Sequence, residues 1–314
     1  MTNHGQKIIV FGKNGQVGQE LQRAILSGKN NHTYDECLFL GRDDIDLTNS
    51  EALSTRLLQE SPAAIINAAA YTAVDKAETE PEIAMAVNAK APEIMALYAQ
   101  EQKIPFIHIS TDYVFNGTKT SSYTENDPIA PINIYGKSKA EGETAIMATH
   151  APAVILRTSW VYAQKGNNFI HTMLRLGQER ETLNIVSDQI GAPTNAADIA
   201  LAILHILPQI QHKQDSMIQP ELYHMSANGY GSWHEFAQLI FSEAEKHGIK
   251  VPLNVGEIPS SAYPTPATRP LNSRLDCTLI EKEYGVSLPH WKDSAIKCIT
   301  TILENQNQEK VISA

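Results

Sequence analysis

Tyr135 and Lys139 have the residue types and the spacing of a proton donor and its charged neighbour. Two side chains four residues apart on a helix lie on one face, with their Cβ atoms about 5 to 6 Å apart. A free phenol has a pKa of about 10, so it exchanges protons poorly at neutral pH until a nearby ammonium stabilises its anion. The same spacing also arises by chance on exposed helices. The elements around the pair therefore decide whether it is functional.

A glycine-rich segment follows the first apolar run of the chain. Residues 7–11 predict a strand, Gly12, Gly15 and Gly18 predict a turn, and the residues up to Leu26 predict a helix. Glycines let backbone amides approach a pyrophosphate, and the N-terminus of a helix favours negative charge. The alternative is an ordinary glycine-rich turn. Its position after the first strand of a βα unit favours a dinucleotide site.

The end of the second predicted strand bears on the choice of cofactor. Residues 37–40 are apolar and lead into Gly41 and Arg42. At this point of a dinucleotide-binding fold an acid contacts the ribose of NAD, whereas an arginine can receive the 2′-phosphate of NADP. Arg42 therefore favours NADPH, and the alternative is that it is a solvated turn residue. Asp46 and Leu47 are placed to border the adenine.

Two more predicted strands end where a ligand would lie. Residues 63–67 are followed by three alanines, residues 68–70, which leave room for a ligand against the backbone. The apolar run 105–109 breaks abruptly into hydroxyl groups and a carboxylate, among them Thr111 and Asp112. In open α/β sheets, ligands bind outside the carboxyl ends of the strands. The chemistry is therefore expected at this edge.

The alternation of strands and helices predicts an α/β fold with a Rossmann-like, doubly wound parallel sheet. Residues 1–162 are expected to form the dinucleotide-binding domain, and residues 192–222 are expected to return to it. The pattern loosens in the second half of the chain. Residues 163–314 are expected to form mainly a smaller, C-terminal substrate-binding domain.

Composition narrows the class of protein. The chain has 314 residues and a net charge of −10, which argues against a general binder of nucleic acid or of anionic membranes. Three widely separated cysteines, Cys37, Cys277 and Cys298, indicate neither a disulfide framework nor a zinc site. Residues 1–6 are polar and do not form a signal peptide, and no apolar stretch reaches membrane-spanning length. A cytoplasmic protein is expected.

Seven motifs in a fixed order carry a resemblance to a known family. They are Gly12-Lys-Asn-Gly-Gln-Val-Gly18, Tyr71-Thr-Ala-Val-Asp-Lys-Ala-Glu78, Ser110-Thr-Asp-Tyr-Val-Phe115, Tyr135-Gly-Lys-Ser-Lys139, Arg157-Thr-Ser-Trp-Val-Tyr162, Asp188-Gln-Ile-Gly-Ala-Pro-Thr194 and Tyr263-Pro-Thr-Pro-Ala-Thr-Arg-Pro270. The chain resembles the extended short-chain dehydrogenase/reductase superfamily and, within it, the dTDP-4-dehydrorhamnose reductase family. The resemblance spans nearly the whole chain. It implies NAD(P)H-dependent reduction of the 4-keto group of dTDP-4-dehydro-β-L-rhamnose to dTDP-β-L-rhamnose.

The resemblance also implies roles for individual residues. Tyr135 is the expected proton donor, Lys139 tunes it and binds the nicotinamide ribose, and Thr111 polarises the carbonyl. The expected cofactor-binding residues are Gly12, Asn14, Gly15, Gln16, Val17, Gly18, Arg42, Asp46, Leu47, Ala68, Ala69, Ala70, Tyr135 and Lys139. The expected substrate-binding residues are Thr72, Val74, Thr111, Asp112, Trp160 and Arg269. Trp160 would offer an apolar face to a sugar or a base, and the guanidinium of Arg269 suits a diphosphate.

The cofactor and the partners are expected as follows. NADPH is favoured and NADH is the alternative. Mg²⁺ is suggested by the family resemblance alone, since some family members are reported to use it. Near Thr194 the chain offers one carboxylate, Asp198, so no metal site is assigned. The expected partner is a dTDP-sugar, bound by a monomer or a homodimer.

Two other functions stay open on the sequence. A non-catalytic relative, like the regulatory β subunit of methionine adenosyltransferase, would keep this fold as a binding module. The joint presence of Thr111, Tyr135 and Lys139 argues against it, because a binding module needs no proton donor. An NDP-sugar epimerase or dehydratase usually places an extra acid or base beside the tyrosine, such as a glutamate after a Thr-Asp pair. Here Asp112 is followed by Tyr113, which favours reduction.

Overall fold

Short apolar runs separated by helices fold into a six-stranded parallel sheet in the computed structural model, which describes residues 7–28, 36–213 and 219–312. The strands in chain order are β1 Lys7–Phe11, β2 Glu36–Leu40, β3 Ala64–Asn67, β4 Phe106–Thr111, β5 Ala153–Thr158, β6 Val161–Tyr162, β7 Thr182–Val186, β8 Ile190–Gly191, β9 Thr194–Asn195, β10 Glu221–His224, β11 Gly231–Ser232 and β12 Asn254–Ile258. The central sheet has the order β10-β5-β4-β3-β1-β2, and its neighbouring strands are parallel. This confirms the predicted α/β fold with a Rossmann-like sheet.

The strand register brings three loops to one edge of this sheet. Phe11, the last residue of β1, pairs with Asn67, the last residue of β3. Asn67 in turn pairs with His108 on β4, three residues before Thr111. Because parallel strands point the same way, the loops after β1, β3 and β4 all leave the sheet at its carboxyl edge.

Eleven α-helices lie in the described part of the chain. They are α1 Gln16–Leu26, α2 Ser50–Glu60, α3 Val74–Ala77, α4 Pro81–Met85, α5 Ala91–Gln102, α6 Ile134–Met147, α7 Phe169–Glu179, α8 Ala196–Lys213, α9 Trp233–Lys246, α10 Thr278–Tyr284 and α11 Trp291–Ile312. A π-helical turn, Ala86–Lys90, joins α4 to α5, and short 3₁₀ turns cover Asp112–Val114 and Ser260–Ala262.

Side chains of the central strands alternate between two apolar layers. Ile8 and Val10 of β1 pack into the layer that includes α1 and α8, whereas Ile9 and Phe11 pack into the layer that includes α2 and α5. All four are at most 1% exposed. Burying a side chain of this size stabilises the fold by roughly 1.5 to 3 kcal/mol. The sheet is therefore a rigid support for the loops at its edge.

A second apolar core lies in the later part of the chain. Helices α7, α9 and α11 and the parallel pair β7 and β12 contribute to it, and Phe236, Trp291 and Ile299 are completely buried there. Helix α8 packs instead with α1 on the central sheet, and β10 pairs with β5. None of the described helices is long and apolar enough to cross a lipid bilayer.

Candidate active site

A cleft of about 1200 Å³ opens at the carboxyl edge of the central sheet. Most of the predicted site residues line it. They are Gly12, Asn14, Gly15, Gln16, Val17, Arg42, Asp46, Leu47, Ala68, Ala69, Ala70, Thr72, Val74, Thr111, Asp112, Tyr135, Lys139 and Trp160. Gly18 and Arg269 stand outside this lining. The folded chain thus brings the glycine loop, the alanines and the Tyr-Lys pair to one cleft.

The glycine loop can form only because two of its residues lack side chains. Gly12 has a φ of +92°, and a Cβ built on it would lie 2.6 Å from the carbonyl carbon of Ala68. A Cβ on Gly18 would lie 2.1 Å from the Gly12 carbonyl oxygen, so Gly18 acts by letting α1 approach the loop. Gly15 precedes α1, and no side chain caps the first turn of that helix. Its amides suit an anionic group such as a pyrophosphate.

The end of β2 presents a cluster of charges beside the glycine loop. Arg42 lines the cleft, and the neighbouring Lys13 lies 2.5 Å from Asp44. Asp44 also accepts a hydrogen bond of 2.7 Å from the backbone N–H of Gly41. These hydrogen bonds lower the pKa of Asp44 below its ordinary value. Arg42 is therefore the cation of this cluster that faces the cleft, where a 2′-phosphate would enter in this class of fold.

Helix α6 is held so that its first turn meets the end of β4. Asn133 caps the helix by accepting a 2.7 Å hydrogen bond from the Gly136 N–H. Gly136 itself packs against the turn after β4, since a Cβ there would lie 2.1 Å from the Tyr113 carbonyl oxygen. This close approach sets Tyr135 against Thr111.

Tyr135 lies beside Thr111 inside the cleft. Burial raises the pKa of Tyr135 to about 12, the Thr111 hydroxyl opposes that rise, and the charge of Asp112 adds to it. The phenol therefore carries its proton at neutral pH, as a proton donor must before it acts. The Thr111 hydroxyl also donates to Asp112 Oδ1 at 3.0 Å and accepts from the Tyr113 N–H at 3.2 Å.

Lys139 lies one turn beyond Tyr135 and is 1% exposed. Its Nζ donates to the Ile109 carbonyl oxygen at 2.7 Å and lies 3.0 Å from His108 Nε2. Burial lowers the pKa of Lys139 to about 8, against the opposing charge of Glu143. A buried lysine that can gain or lose a proton near pH 8 thus lines the cleft.

Asp112 is a buried carboxylate, and one of its two oxygens has no hydrogen-bond partner among the described residues. Asp112 is 2% exposed, and that oxygen is Oδ2. Burial raises the pKa of Asp112 to about 6, against the lowering effect of the Ser273 and Thr111 hydroxyls. A buried unpaired oxygen is costly, so its presence beside Thr111 suits a ligand that donates a hydrogen bond.

Trp160 forms an aromatic wall of the cleft. Its ring stacks on that of Trp233, with centroids 3.7 Å apart and planes inclined by 9°. The backbone φ of Trp160 is +48°, a left-handed conformation that is rare in bulky residues and is often found at functional sites. Gly191 makes room for it, because a Cβ there would lie 2.5 Å from the indole.

Comparison with known proteins decides between the open interpretations. The family model described as "RmlD substrate binding domain" matches residues 6–304. A relative from Escherichia coli (strain K12), named "dTDP-4-dehydrorhamnose reductase", is 44% identical over 291 residues, which are 91% of this chain and 94% of the relative. The chain belongs to the dTDP-4-dehydrorhamnose reductase family. This confirms the predicted family, and it favours a reductase over a regulatory subunit or an epimerase or dehydratase.

Solved structures of the dTDP-4-dehydrorhamnose reductase family have the same fold. One from Clostridium acetobutylicum ATCC 824 has a TM-score of 0.83 at 34% identity and covers 95% of this chain and 99% of that chain. One from Bacillus anthracis str. Ames, in complex with NADP, has a TM-score of 0.82 at 34% identity, with the same coverage. The second of these structures places NADP in a protein of this family.

Arg269 is the predicted substrate residue of the dTDP-4-dehydrorhamnose reductase motifs that lies apart from the others. Its Nη1 and Nη2 donate to the two carboxylate oxygens of Asp75 at 3.1 and 2.9 Å, and Nη1 also donates to the Ala267 carbonyl oxygen. Its contact with a diphosphate stays a prediction. Among the described residues, no group of three or more His, Cys, Asp or Glu side chains could hold a metal ion.

Three residues at this site were not singled out from the sequence. His108, Tyr113 and Trp233 all contact predicted site residues. A histidine in the apolar run of β4 was the one visible signal, since a buried polar side chain needs a partner. Nothing in the sequence pattern pairs Trp233 with Trp160, because they come from distant elements.

Proposed function

We propose that this protein reduces the 4-keto group of dTDP-4-dehydro-β-L-rhamnose to give dTDP-β-L-rhamnose, with NADPH as the preferred hydride donor. The observation that carries the proposal is the grouping of Thr111, Tyr135 and Lys139 in the cleft that also holds the glycine loop. Membership of the dTDP-4-dehydrorhamnose reductase family supports the substrate class.

Tyr135 is the proton donor in this proposal. Addition of a hydride to a ketone develops negative charge on the carbonyl oxygen, which then takes a proton. Tyr135 holds that proton as a neutral phenol, because its pKa is raised to about 12. The Thr111 hydroxyl lies beside the same phenol and is proposed to polarise the carbonyl from the other side. Lys139, one helical turn away, supplies the positive charge that stabilises the phenolate left behind.

The cleft suits a dinucleotide along its length. The open amides at the start of α1 suit the pyrophosphate, and residues 68–70 leave room against the backbone. Arg42 suits the 2′-phosphate, and Asp46 and Leu47 border the adenine. A bound NADPH would supply the hydride. NADH stays the alternative, since the choice rests on one exposed cation.

The substrate is proposed to lie between the Tyr135 hydroxyl and the aromatic wall. Asp112 Oδ2 is free to accept a hydrogen bond from a sugar hydroxyl. Trp160 offers an apolar face, while Thr72, just before α3, and Val74, its first residue, line the same cleft. Arg269 would reach a diphosphate from the loop that Asp75 anchors.

We also infer how the chain is divided between these ligands. Residues 1–162 together with 192–222 form the dinucleotide-binding domain, and the remaining part of 163–314 forms mainly the substrate-binding domain. The two separate apolar cores and the packing of α8 and β10 on the central sheet support this division. Residues 1–6, 29–35, 214–218 and 313–314 lie outside the described residues.

The partners and the cellular location of the protein are proposed from its charge and composition. A net charge of −10 argues against nucleic acid or an anionic membrane as a partner. We expect a monomer or a homodimer in the cytoplasm. Sedimentation of the purified protein at two concentrations separates the two oligomeric states.

A coupled assay tests the proposed function. The 4-keto sugar nucleotide is generated in situ, and the loss of NADPH absorbance is followed after addition of the protein. We expect NADPH consumption to match formation of dTDP-β-L-rhamnose. Binding of NADPH without any turnover of this substrate would contradict the proposal.

A further inference from the structure

Three buried side chains from three elements form a hydrogen-bonded line beneath the cleft. Asn67 ends β3, His108 lies on β4 and Lys139 lies on α6. Asn67 Nδ2 is 3.0 Å from His108 Nδ1, and His108 Nε2 is 3.0 Å from Lys139 Nζ. All three side chains are at most 1% exposed. At that burial the position of each proton is fixed by the partners that are present.

The orientation of Asn67 fixes the protonation of His108. The Asn67 Oδ1 accepts a 3.1 Å hydrogen bond from the Ala69 N–H, so its amide nitrogen faces the histidine. That nitrogen donates, and His108 Nδ1 must accept. Burial holds the pKa of His108 well below its usual value, and the charge of Lys139 lowers it further whenever the lysine is protonated. The ring is therefore neutral, and its single N–H is on Nε2, facing Lys139.

An N–H pointed at Lys139 needs a lone pair there. An ammonium has three donors and no acceptor, whereas a neutral amine can accept from Nε2–H while it donates to the Ile109 carbonyl oxygen at 2.7 Å. We propose that His108, held by Asn67, is a positioning residue that fixes Lys139 and favours its neutral amine before the cofactor binds, so that NADPH binding is accompanied by proton uptake at Lys139. This rests on the proposed use of NADPH.

The other charged groups around Lys139 do not hold it permanently in its charged form. Glu143 favours the ammonium, but its two oxygens are held by Arg157 on β5 at 2.9 and 2.6 Å. Tyr135, on the same helix, is neutral, and Asp112 on the turn after β4 acts on Tyr135. Burial outweighs Glu143 and lowers the pKa of Lys139 to about 8.

Proton uptake follows from linkage between the two equilibria. The phosphates of NADPH are anionic, and negative charge in the cleft favours the ammonium over the amine. A group whose pKa rises on binding takes up protons at any pH between its two pKa values. Near pH 8, where Lys139 is about half protonated in the free protein, uptake of up to about half a proton is expected.

Calorimetry measures this uptake without turnover. The intact protein is titrated with NADPH near pH 8 in two buffers that differ in their heat of ionisation, and the difference in heat gives the number of protons taken up. The Lys139→Met variant has no amine at this position, so it measures the proton uptake that comes from all other groups. We expect the wild-type protein to exceed that reference by several tenths of a proton.

Two variants separate positioning from a purely structural role. His108→Asn keeps a polar group near Asn67 but removes the N–H that faces Lys139, so more of the lysine is already charged before NADPH binds and the excess uptake should fall. Asn67→Asp accepts a hydrogen bond from Nδ1–H, so that the ring proton moves to Nδ1 and Nε2 becomes an acceptor, and it should have the same effect with the histidine still present. His234→Asn alters a buried histidine on α9 and should leave the uptake unchanged.

The outcomes are distinguishable. Full excess uptake in a folded His108→Asn or Asn67→Asp variant overturns this proposal. Wild-type binding of NADPH with no more uptake than Lys139→Met also overturns it, and leaves the proposed reductase function standing. Failure of the wild-type protein to bind NADPH at all is instead a failure of the proposed function.

Discussion

The Thr111 hydroxyl donates to Asp112 Oδ1 at 3.0 Å, and the second carboxylate oxygen of Asp112 is buried with no partner among the described residues. The protein therefore holds a carboxylate beside its proposed proton donor at a cost in stability. Burial raises the pKa of Asp112 from 3.8 to about 6, which corresponds to roughly 3 kcal/mol against the charged form.

Asp112→Asn should make the protein more stable at pH 8. The folded-state pKa is raised, so the stability that Asp112 contributes is present below pH 3.8 and is lost as the pH rises through about 6. The neutral amide of the variant does not ionise, so it avoids this loss of stability. The free energy of unfolding of the variant should therefore exceed that of the wild type by up to about 3 kcal/mol at pH 8. Urea unfolding at pH 8 and near pH 4 measures it, and the gain should vanish at the lower pH.

Asp127→Asn is a control of opposite sign. Its hydrogen bonds with Lys119 and Thr124 lower the pKa of Asp127 to about 2, so its contribution is present at neutral pH and is lost as the pH falls through that value. This variant should be less stable than wild type at pH 8. An Asp112→Asn protein that is also less stable at pH 8 would show that the charged carboxylate is well satisfied in the fold.

Tyr135→Phe should lose most turnover and keep its affinity for NADPH. Removal of the hydroxyl removes the positioned acid, which contributes about 10²- to 10⁴-fold to such reactions. The ring stays, so the cleft keeps its shape. Steady-state kcat and the NADPH dissociation constant from fluorescence titration measure the two effects.

Tyr113→Phe is the matched control for that substitution. The Tyr113 ring meets the Tyr135 ring edge to face, with centroids 5.4 Å apart, and also lines the cleft. Loss of its hydroxyl should change kcat by less than about tenfold. Equal losses in the two variants would remove Tyr135 from its role as the donor.

The fold was predictable because its signals are local. Apolar runs, the glycine turn and the 3.6-residue period each lie within one element, and the connection rules of parallel sheets then bring the strand ends to one edge. Tyr135 and Lys139 were predictable for the same reason, since their spacing sets them on one face of α6.

The contacts between elements were not predictable from the pattern. The line from Asn67 through His108 to Lys139 joins two neighbouring strands to a helix, and the Trp160 and Trp233 stack joins a strand end to α9. Each of these contacts depends on the side-chain rotamer that packing selects, and residue type and spacing do not encode that rotamer. Burial in the fold lowers the pKa of Lys139 against the charge of Glu143, so the electrostatics of the site also come from the fold.

Arg42→Ala should weaken NADPH binding more than NADH binding. Arg42 lines the cleft after β2, where the 2′-phosphate of NADPH is proposed to enter, and NADH lacks that group. Loss of one charged contact of about 1.5 kcal/mol corresponds to a loss of roughly tenfold in affinity. Dissociation constants for both dinucleotides test it. Arg175→Ala removes an exposed charge from α7 and should affect neither. Equal weakening of the two dinucleotides by Arg42→Ala would contradict a phosphate contact.

Arg269→Gln should raise the KM for the dTDP-sugar by about tenfold with little change in kcat, since a diphosphate contact is worth about 1.4 kcal/mol. The matched variant is Asp75→Asn, which removes the partner of the guanidinium and keeps the arginine. Because this ion pair is partly exposed, it contributes no more than about 1 kcal/mol to stability, so both variants should fold. Asp75→Asn should leave the KM within about twofold, because the freed guanidinium can still meet the diphosphate. An equal rise in KM for both variants would mean that Arg269 only anchors its loop to α3.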